Sequence, residues 1–300
     1  MNYNSLAKAL ADSGIANSTD TRLAPYTTFR IGGAAKIAVF PKNPGDAVTA
    51  LGLIRDSGAR WLVLGNGSNV LVSDSGFDGA AVILSGMRNY SLDGEKIAAD
   101  AGLSMTRLSS IAAENSLSGL EFAYGIPGTV GGGVFMNAGA YGGEIGSVVL
   151  SSEWYDLKTG KTGEYKGAEQ EFSYRHSVYM DEEKIILSAV FGLEKGDRAV
   201  ITSRMEDYMS RRREKQPLEY PSAGSVFKRG NGFITAQVID EVGLKGRSVG
   251  GAMVSEKHAG FIINTGGAAS DDVLRLIEII KREVFEKTGY TIECEVRYID

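Results

Sequence analysis

The feature that most constrains this chain is a glycine-rich, apolar stretch at residues 125–144, with the sequence GIPGTVGGGVFMNAGAYGGE. Glycine offers no side chain to a packed core, and apolar residues this dense are unusual in a solvated linker. The whole chain has 39 glycines in 300 residues, nearly twice the usual share of about 7%. The stretch therefore favours a loop whose backbone lies close to a flat or phosphorylated ligand.

Composition excludes several classes of protein. Hydrophobic residues make up 43% of the chain and the formal net charge is -5, as in ordinary globular proteins. The acidic balance argues against nucleic-acid binding, although residues 211–215, RRREK, form a local cationic cluster. The single cysteine excludes a disulfide framework, and the first residues lack the regions of a signal peptide. From these two observations we expect a cytoplasmic protein. No apolar run approaches the roughly 20 residues of a membrane span.

Another glycine loop, LGNGSNVLVSD, lies earlier in the chain and follows the predicted buried strand WLVLG at 61–65. In chain order it is the first glycine loop, and residues 125–144 form the second. Its backbone and its serine and asparagine side chains offer neutral donors to a pyrophosphate. It is not a Rossmann fingerprint, because the third glycine would fall at Val70 and no helix pattern follows. Alone it could be an ordinary β-turn, but two such loops in one domain favour a dinucleotide. The TGKT sequence at 159–162 predicts a hairpin turn rather than a P-loop, since the required first glycine would fall at Tyr155.

Hydrophobic periodicity and glycine stops predict a series of helices. They cover residues 5–10, 46–56, 104–115, 199–213, 233–242 and 271–287. Short apolar runs separated by Gly, Asp and Asn turns predict a mixed sheet up to about residue 193, and the pattern changes near residue 196. At the C-terminus, alternation predicts a strand over 290–298 with Glu295 on its polar face, two residues from Glu293.

A series of motifs occurs in chain order: TTFRIGG, LGNGSNVLVSD, GIPGTVGGGVFMNAGAYGGE, FSYRHS, KQPLEYPSAGSVFKR, VGGAMVSEKHAGFIIN and the terminal EVR. Together they resemble the MurB family, the UDP-N-acetylenolpyruvoylglucosamine reductases. The resemblance covers nearly the whole chain and implies an α+β protein. An FAD-binding fold of the vanillyl-alcohol-oxidase/PCMH type would occupy two lobes, at about 1–58 and 59–195. An α+β substrate-binding domain would follow at 196–300, and its C-terminal strand at about 290–300 would return to the active site.

The same resemblance implies an activity. It is the NADPH-dependent reduction of UDP-N-acetyl-3-O-(1-carboxyvinyl)-glucosamine to UDP-N-acetylmuramate, through FAD, in peptidoglycan precursor synthesis. We expect the FAD to be non-covalent, because neither glycine loop contains a His or Cys. The expected partners are the UDP-sugar and NADPH as co-substrate, with no obligate protein partner and no metal. Another FAD-dependent sugar or hydroxy-acid oxidoreductase of this fold, or a catalytically silent nucleotide-binding module, remains an alternative.

The resemblance assigns three catalytic residues, Arg175, Ser225 and Glu295. Without it, the alternative for the arginine in FSYRHS is a surface ion pair, and a serine beside Gly224 is more often part of a turn. The implied FAD-binding residues come from the two glycine loops: Gly65, Asn66, Gly67, Ser68, Asn69, Gly125, Ile126, Pro127, Gly128, Thr129, Gly131, Gly132, Asn137, Ala138 and Gly139. The implied substrate-binding residues are Tyr174, Lys215 and Gly224.

Other charged residues keep two interpretations. Arg211, Arg212 and Arg213 could contact a ligand or form a solvated helix end. His258 in SEKHAGF is expected to be structural rather than catalytic.

Overall fold

The computed structural model describes residues 2–300. Its helices are α1 Tyr3–Asp12, α2 Pro44–Ser57, α3 Met105–Glu114, α4 Val130–Phe135, α5 Arg198–Lys215, α6 Thr235–Glu241 and α7 Ser270–Thr288. Its strands are β1 Ala16–Arg22, β2 Ala34–Phe40, β3 Trp61–Leu64, β4 Val70–Val72, β5 Phe77–Ile83, β6 Tyr90–Asp93, β7 Lys96–Asp100, β8 Leu117–Ser118, β9 Gly139–Ala140, β10 Gly143–Glu144, β11 Val149–Asp156, β12 Thr162–Lys166, β13 Lys184–Gly192, β14 Glu194–Lys195, β15 Ser222–Ser225, β16 Ser248–Val249, β17 Ala252–Val254, β18 Phe261–Asn264 and β19 Arg297–Ile299.

The chain divides into two compact units, and both are discontinuous in sequence. The first comprises residues up to Asp20, Lys36–Asn66 and Gly79–Arg211, and the second comprises Thr21–Ala35, Gly67–Asp78 and Arg212–Asp300. This division differs from the contiguous one expected from the sequence, because α5 belongs to the first unit up to Arg211. A substrate-binding role for the C-terminal part stays a prediction.

The first unit is built on two sheets. One has the strand order β1-β2-β5-β3, with β3 and β5 parallel, and the other has the order β12-β11-β13-β7-β6. Neighbours in the second sheet are all antiparallel. Apolar faces of α1 to α4 and of both sheets bury a continuous core that includes Leu10, Leu51, Ile97 and Phe191. The hairpin predicted from TGKT is confirmed, since it connects β11 to β12 with Tyr155 opposite Thr162.

The second unit is built on the antiparallel sheet β15-β18-β17-β16. Helix α7 buries residues at helical spacing, from Val273 through Ile280 to Val284. It ends where Gly289 adopts a left-handed φ of +75°, a conformation that glycine adopts without steric cost. In the same unit β4 and β19 pair in parallel, with Val70 opposite Arg297. This pairing connects the strand after the first glycine loop to the C-terminal segment.

The predicted helices are all confirmed to within a few residues, but the predicted C-terminal strand is wrong over most of its length. Only Arg297–Ile299 forms a strand, and Cys294 contributes an isolated bridge to Phe227. The amide of Glu295 bonds to Val226, whereas that of Arg297 bonds to Asn69. Because the segment changes partners between these two positions, it cannot form one regular strand.

Candidate active site

Parts of both glycine loops meet inside the first unit. Asn66 Nδ2 donates to the Pro127 carbonyl over 2.7 Å, which ties the first loop to the second. A Cβ on Gly65 would lie 2.2 Å from Thr129 Oγ1, so no larger residue fits there without displacement. Two segments about sixty residues apart in sequence therefore form one backbone surface.

The three glycines of α4 differ in their surroundings. Gly131 donates to the Ala101 carbonyl over 2.8 Å, and a Cβ at this position would lie 2.9 Å from Ala101 Cβ. Gly133 is equally confined, since a Cβ there would lie 2.8 Å from Met105 Sδ in α3. Gly132 is exposed, and the nearest atom to a Cβ there would be Thr129 Oγ1 at 3.6 Å. Internal packing thus explains glycine at 131 and 133. Gly132 is the exposed glycine of the helix, although its amide donates to Thr129 Oγ1 over 3.4 Å, and its contact with FAD stays a prediction.

The remainder of the first loop, residues 67–69, lies in the second unit. Gly67 has φ +57°, and a Cβ there would lie 2.4 Å from the Tyr26 carbonyl oxygen. Ser68 is half-buried. Asn69 contacts the C-terminal segment: its Nδ2 donates to the Glu295 carbonyl over 3.2 Å, and its own carbonyl accepts from the Arg297 amide over 3.1 Å.

The second loop continues beyond α4 with a buried asparagine. Asn137 is 1% exposed and has a left-handed φ of +42°, which asparagine tolerates better than most residues. Its Oδ1 accepts from the Gly146 amide over 2.8 Å, and its Nδ2 donates to the Ser173 carbonyl over 2.9 Å. Ala138 follows, and Gly139 begins β9. The side chain of Asn137 therefore connects this loop to the FSYRHS motif.

That motif folds as a tight turn with Tyr174 and Arg175 at its tip. Ser173 and His176 close it with reciprocal backbone bonds of 3.2 and 3.1 Å. Arg175 has φ +56°, an uncommon conformation for a residue with a side chain. Its guanidinium carbon lies 5.3 Å from the Tyr174 ring centroid, at cation–π distance. Tyr174 is 53% exposed, so the turn presents an aromatic ring to solvent.

Ser225 is positioned by a β-bulge in the second unit. β15 pairs with β18 so that Ser222 lies opposite Ile263 and Ser225 opposite Phe261, with an extra residue between them on β15. Gly224 takes φ +75°, with no atom within 4 Å of where its Cβ would be. A bulge redirects the side chain that follows it. The Ser225 hydroxyl donates to the Phe227 carbonyl over 3.2 Å.

Ser225 and Glu295 lie on adjacent segments of the second unit. The Glu295 amide donates over 2.7 Å to the carbonyl of Val226, the residue after the serine. The same pairing continues in the bridge between Phe227 and Cys294. Glu293, the nearest alternative glutamate, instead forms an exposed ion pair with Lys228 at 3.2 Å. Arg175 belongs to the first unit.

The cationic end of α5 is not uniformly solvated. Arg211 pairs with Asp207 one turn earlier at 2.8 Å. Arg212 is 7% exposed, and its Nη1 donates to Gln216 Oε1 over 3.2 Å. The solvated interpretation is therefore wrong for Arg212, because this side chain faces inward. Lys215 is exposed at the last position of the helix, and its substrate role stays a prediction.

His258 has a structural environment. Its Nδ1 accepts from the Gly260 amide over 3.1 Å, and its ring packs edge-on to Phe261 with centroids 4.8 Å apart. Burial lowers the pKa of His258 below its usual 6.5. The neutral ring is thus the form that the fold accommodates.

This pKa shift predicts acid sensitivity. The unfolded chain takes up a proton at His258 near pH 6.5, whereas the folded chain resists it. The contribution of His258 to the free energy of unfolding should therefore be fully present above about pH 6.5. It should decrease as the pH falls toward the lower pKa of the folded state. The His258→Gln variant should lack this pH-dependent loss of stability, because glutamine does not titrate while its amide oxygen can still accept from Gly260. Urea denaturation between about pH 5 and pH 8 tests it; an unchanged pH dependence in the variant would assign the acid sensitivity to other groups.

The residues of the glycine loops fit FAD. They provide a backbone surface joined at Asn66 and Pro127, an exposed glycine at 132, and no His or Cys that could attach a flavin. Within residues 2–300, no group of three or more His, Cys, Asp or Glu side chains is placed to hold a metal ion. Over the same residues, no helix has both the length and the apolar sequence needed to cross a bilayer.

Comparisons with known proteins match both parts of the chain. Residues 35–164 match the family model of the FAD binding domain, and residues 216–299 match that of the UDP-N-acetylenolpyruvoylglucosamine reductase C-terminal domain. The reductase of Caldicellulosiruptor bescii is 45% identical over 292 residues, covering 97% of this chain and 93% of the relative. The chain belongs to the UDP-N-acetylenolpyruvoylglucosamine reductase family.

Further members and solved structures agree with this family. The Lactobacillus acidophilus UDP-N-acetylenolpyruvoylglucosamine reductase is 41% identical over 290 residues, covering 97% of both chains. The crystal structure of MurB from Thermus caldophilus has a TM-score of 0.80 at 33% identity and covers 95% of this chain and 99% of that one. Phl p 4, at 15% identity and a TM-score of 0.50 over 64% of this chain, shares the flavoprotein fold. The predicted α+β FAD-binding fold and the predicted family are confirmed, and the chain is an FAD-dependent oxidoreductase.

Proposed function

We propose that this chain reduces the enolpyruvyl ether of UDP-N-acetylglucosamine to the lactyl ether, UDP-N-acetylmuramate, with NADPH as the hydride donor. The observation that carries the proposal is the juxtaposition of the Ser225 and Glu295 segments in a member of this family. One segment bears a hydroxyl and the other a carboxyl group. Together they can supply and hold a proton at one carbon of a substrate.

Bound FAD supplies hydride transfer from NADPH to the terminal vinyl carbon of the substrate. The remaining chemistry falls to the protein, because the adjacent carbon becomes an enolate conjugated with the substrate carboxylate. Arg175 is assigned to bind that carboxylate, since its planar guanidinium can form two parallel hydrogen bonds. The charge that develops in the transition state is then stabilised before a proton arrives.

Ser225 is assigned as the donor of that proton. A free hydroxyl is a weak acid, so its proton can be given up only if neighbours stabilise the alkoxide or replace the proton. Glu295, on the adjacent segment, is assigned this supporting role. One hydride and one proton add across the carbon–carbon double bond, and NADPH leaves as NADP⁺, so atoms and charges balance.

The proposal extends to binding partners. Tyr174, at the exposed tip of the Arg175 turn, and Lys215, at the exposed end of α5, are proposed contacts for the UDP-sugar. Gly224, with open space where a side chain would be, allows a substrate to approach the bulge before Ser225. A cytoplasmic location is part of the proposal, in line with one cysteine among 300 residues.

The purified protein should be yellow, and denaturation should release unmodified FAD. The physical reason is that neither glycine loop contains a His or Cys side chain that could attach FAD covalently. Absorbance of the supernatant after acid precipitation, followed by chromatography, measures this directly. Flavin that stays with the precipitated chain, or a colourless protein that FAD does not reconstitute, would contradict the prediction.

The reaction itself is tested in two steps under anaerobic conditions. NADPH should bleach the flavin absorbance, and addition of the enolpyruvyl substrate should restore it with formation of one lactyl ether per flavin. Bleaching without recovery would exclude this substrate. Recovery with a simple sugar or a hydroxy acid in its place would indicate a different oxidoreductase of the same fold.

A further inference from the structure

Each glycine loop contains an asparagine whose side chain contacts a different part of its unit. Asn137 reaches the Arg175 turn within the first unit, and Asn69 reaches the Glu295 segment within the second. The sequence resemblance assigns both to FAD. Their hydrogen bonds favour another role.

The environment of Asn137 is the more complete. At 1% exposure it accepts from one backbone amide and donates to one backbone carbonyl, so both ends of its side-chain amide are engaged. Its acceptor, the Ser173 carbonyl, is also the acceptor for the His176 amide that closes the turn. The side chain therefore secures the closing point of the turn that carries Arg175.

The Arg175 turn needs such support. A residue with a side chain at φ +56° persists in that conformation only where surrounding contacts stabilise it. Tyr174, the other residue at the tip, is 53% exposed. The bond from the buried Asn137 side chain to the Ser173 carbonyl is a contact that can stabilise the turn carrying Arg175.

Asn69 forms an equivalent two-sided contact in the second unit. Its Nδ2 donates to the carbonyl of Glu295, and its own carbonyl accepts from the amide of Arg297. The amide of Glu295 donates to Val226, on the Ser225 segment. The peptide groups on both sides of the Glu295 side chain are thus fixed, by Val226 on one side and Asn69 on the other.

We infer that Asn137 and Asn69 are positioning residues, one for Arg175 and the other for Glu295. The inference rests on the proposed function, because it takes those two residues as the groups that act on the substrate. It assigns Asn137 and Asn69 to the positioning of catalytic residues and leaves Asn66 to the flavin site. Asn66, whose side chain joins the two loops at Pro127, serves the flavin site and provides a matched control.

The first test compares Asn137→Asp with Asn137→Gly. Asp keeps an acceptor for the Gly146 amide but loses the donor to the Ser173 carbonyl, whereas Gly keeps the left-handed backbone and removes both bonds. Hydrogen exchange of the His176 amide, measured without substrate, should accelerate in both variants. Reoxidation of the flavin by substrate should slow by about tenfold to a hundredfold, the cost of a small misplacement of a reacting group. Reduction by NADPH and the FAD dissociation constant should not change.

The second test applies the same measurements to Asn69→Asp, which loses the donor to the Glu295 carbonyl. Hydrogen exchange should accelerate at Glu295 and Arg297, and substrate reoxidation should again slow selectively. Asn66→Asp should show the opposite pattern, with weaker FAD binding and no acceleration at any of these amides.

Arg175→Lys and Glu295→Gln serve as references that distinguish failure of the proposed function from failure of the positioning role of the two asparagines. If neither impairs reoxidation selectively, the proposed function fails. If both do, yet the Asn137 and Asn69 variants lose FAD affinity and slow both half-reactions equally, these asparagines are flavin ligands and the inference is wrong. Faster exchange with normal reoxidation would also overturn it, because the contacts would then be structural only.

Discussion

Ser225→Ala should leave reduction of the flavin by NADPH near its normal rate and slow reoxidation by the enolpyruvyl substrate by about 10² to 10⁴, the usual cost of losing a general acid. The hydroxyl removed lies at the end of β15 and bonds only locally, to the Phe227 carbonyl at 3.2 Å. Neither glycine loop is altered by the substitution. Rapid mixing of each half-reaction measures the two rates separately.

The matched control is Ser222→Ala, at the other end of the same strand. The Ser222 carbonyl, which accepts from Thr28 Oγ1 over 2.7 Å, is unaffected by that change, so both half-reactions should be normal. Ser225→Cys should be milder than Ser225→Ala if the thiol reaches the same carbon, because a thiol is the stronger acid. A Ser225→Ala enzyme that is reduced slowly but reoxidised normally would assign the serine to the turn instead.

The helices could be predicted from the sequence because their signals are local. In α2, Pro44 opens the helix, Asn43 Oδ1 accepts from the Asp46 amide over 2.9 Å, and Gly58 closes it at φ +68°. These residue types and an apolar face at helical spacing are visible in the chain itself. In α7 the local signals are the apolar face and the terminal Gly289, since its N-cap is Ala269.

The division into units could not be predicted, because it depends on pairing between distant segments. β4 and β19 pair in parallel although more than two hundred residues separate them, and no local pattern indicates this. The C-terminal alternation is typical of a strand, yet the segment bonds first to Val226 and then to Asn69. An alternating pattern reports which side chains face inward, not whether one partner accompanies the whole run.

The candidate site shows the same limit at the level of side chains. Its glycine loops could be predicted from composition, and its three catalytic residues from family motifs. The partners of Asn137 and Asn69 could not, because an asparagine in a glycine loop has the same sequence signal whether its amide meets a phosphate or a carbonyl. Asn137 and Arg175 both adopt a left-handed φ. The sequence does not indicate this, because neither residue type requires that conformation.

Arg175→Lys should slow reoxidation by substrate by about 10² to 10³, the range found when one donor to a developing oxyanion is lost. Lysine keeps the positive charge and can adopt the turn, but it replaces a planar, two-pronged donor with a point charge on a flexible chain. The carboxylate can then still bind, while its orientation toward the carbon that receives the proton is lost. The rate constant should therefore fall more than the affinity for substrate.

The measurement is the substrate dependence of reoxidation under rapid mixing, with reduction by NADPH recorded on the same preparation. Arg204→Lys is the matched control, since this arginine of the same unit forms only a long ion pair with Glu121, at 3.8 Å, and both half-reactions should be normal. Equal slowing of both half-reactions in Arg175→Lys would assign Arg175 to folding or to the flavin site. Selective slowing of reoxidation would mean that the turn stabilised by Asn137 positions the Arg175 guanidinium for the substrate. It would also show that the positive charge of lysine cannot replace the planar, two-pronged geometry of the guanidinium.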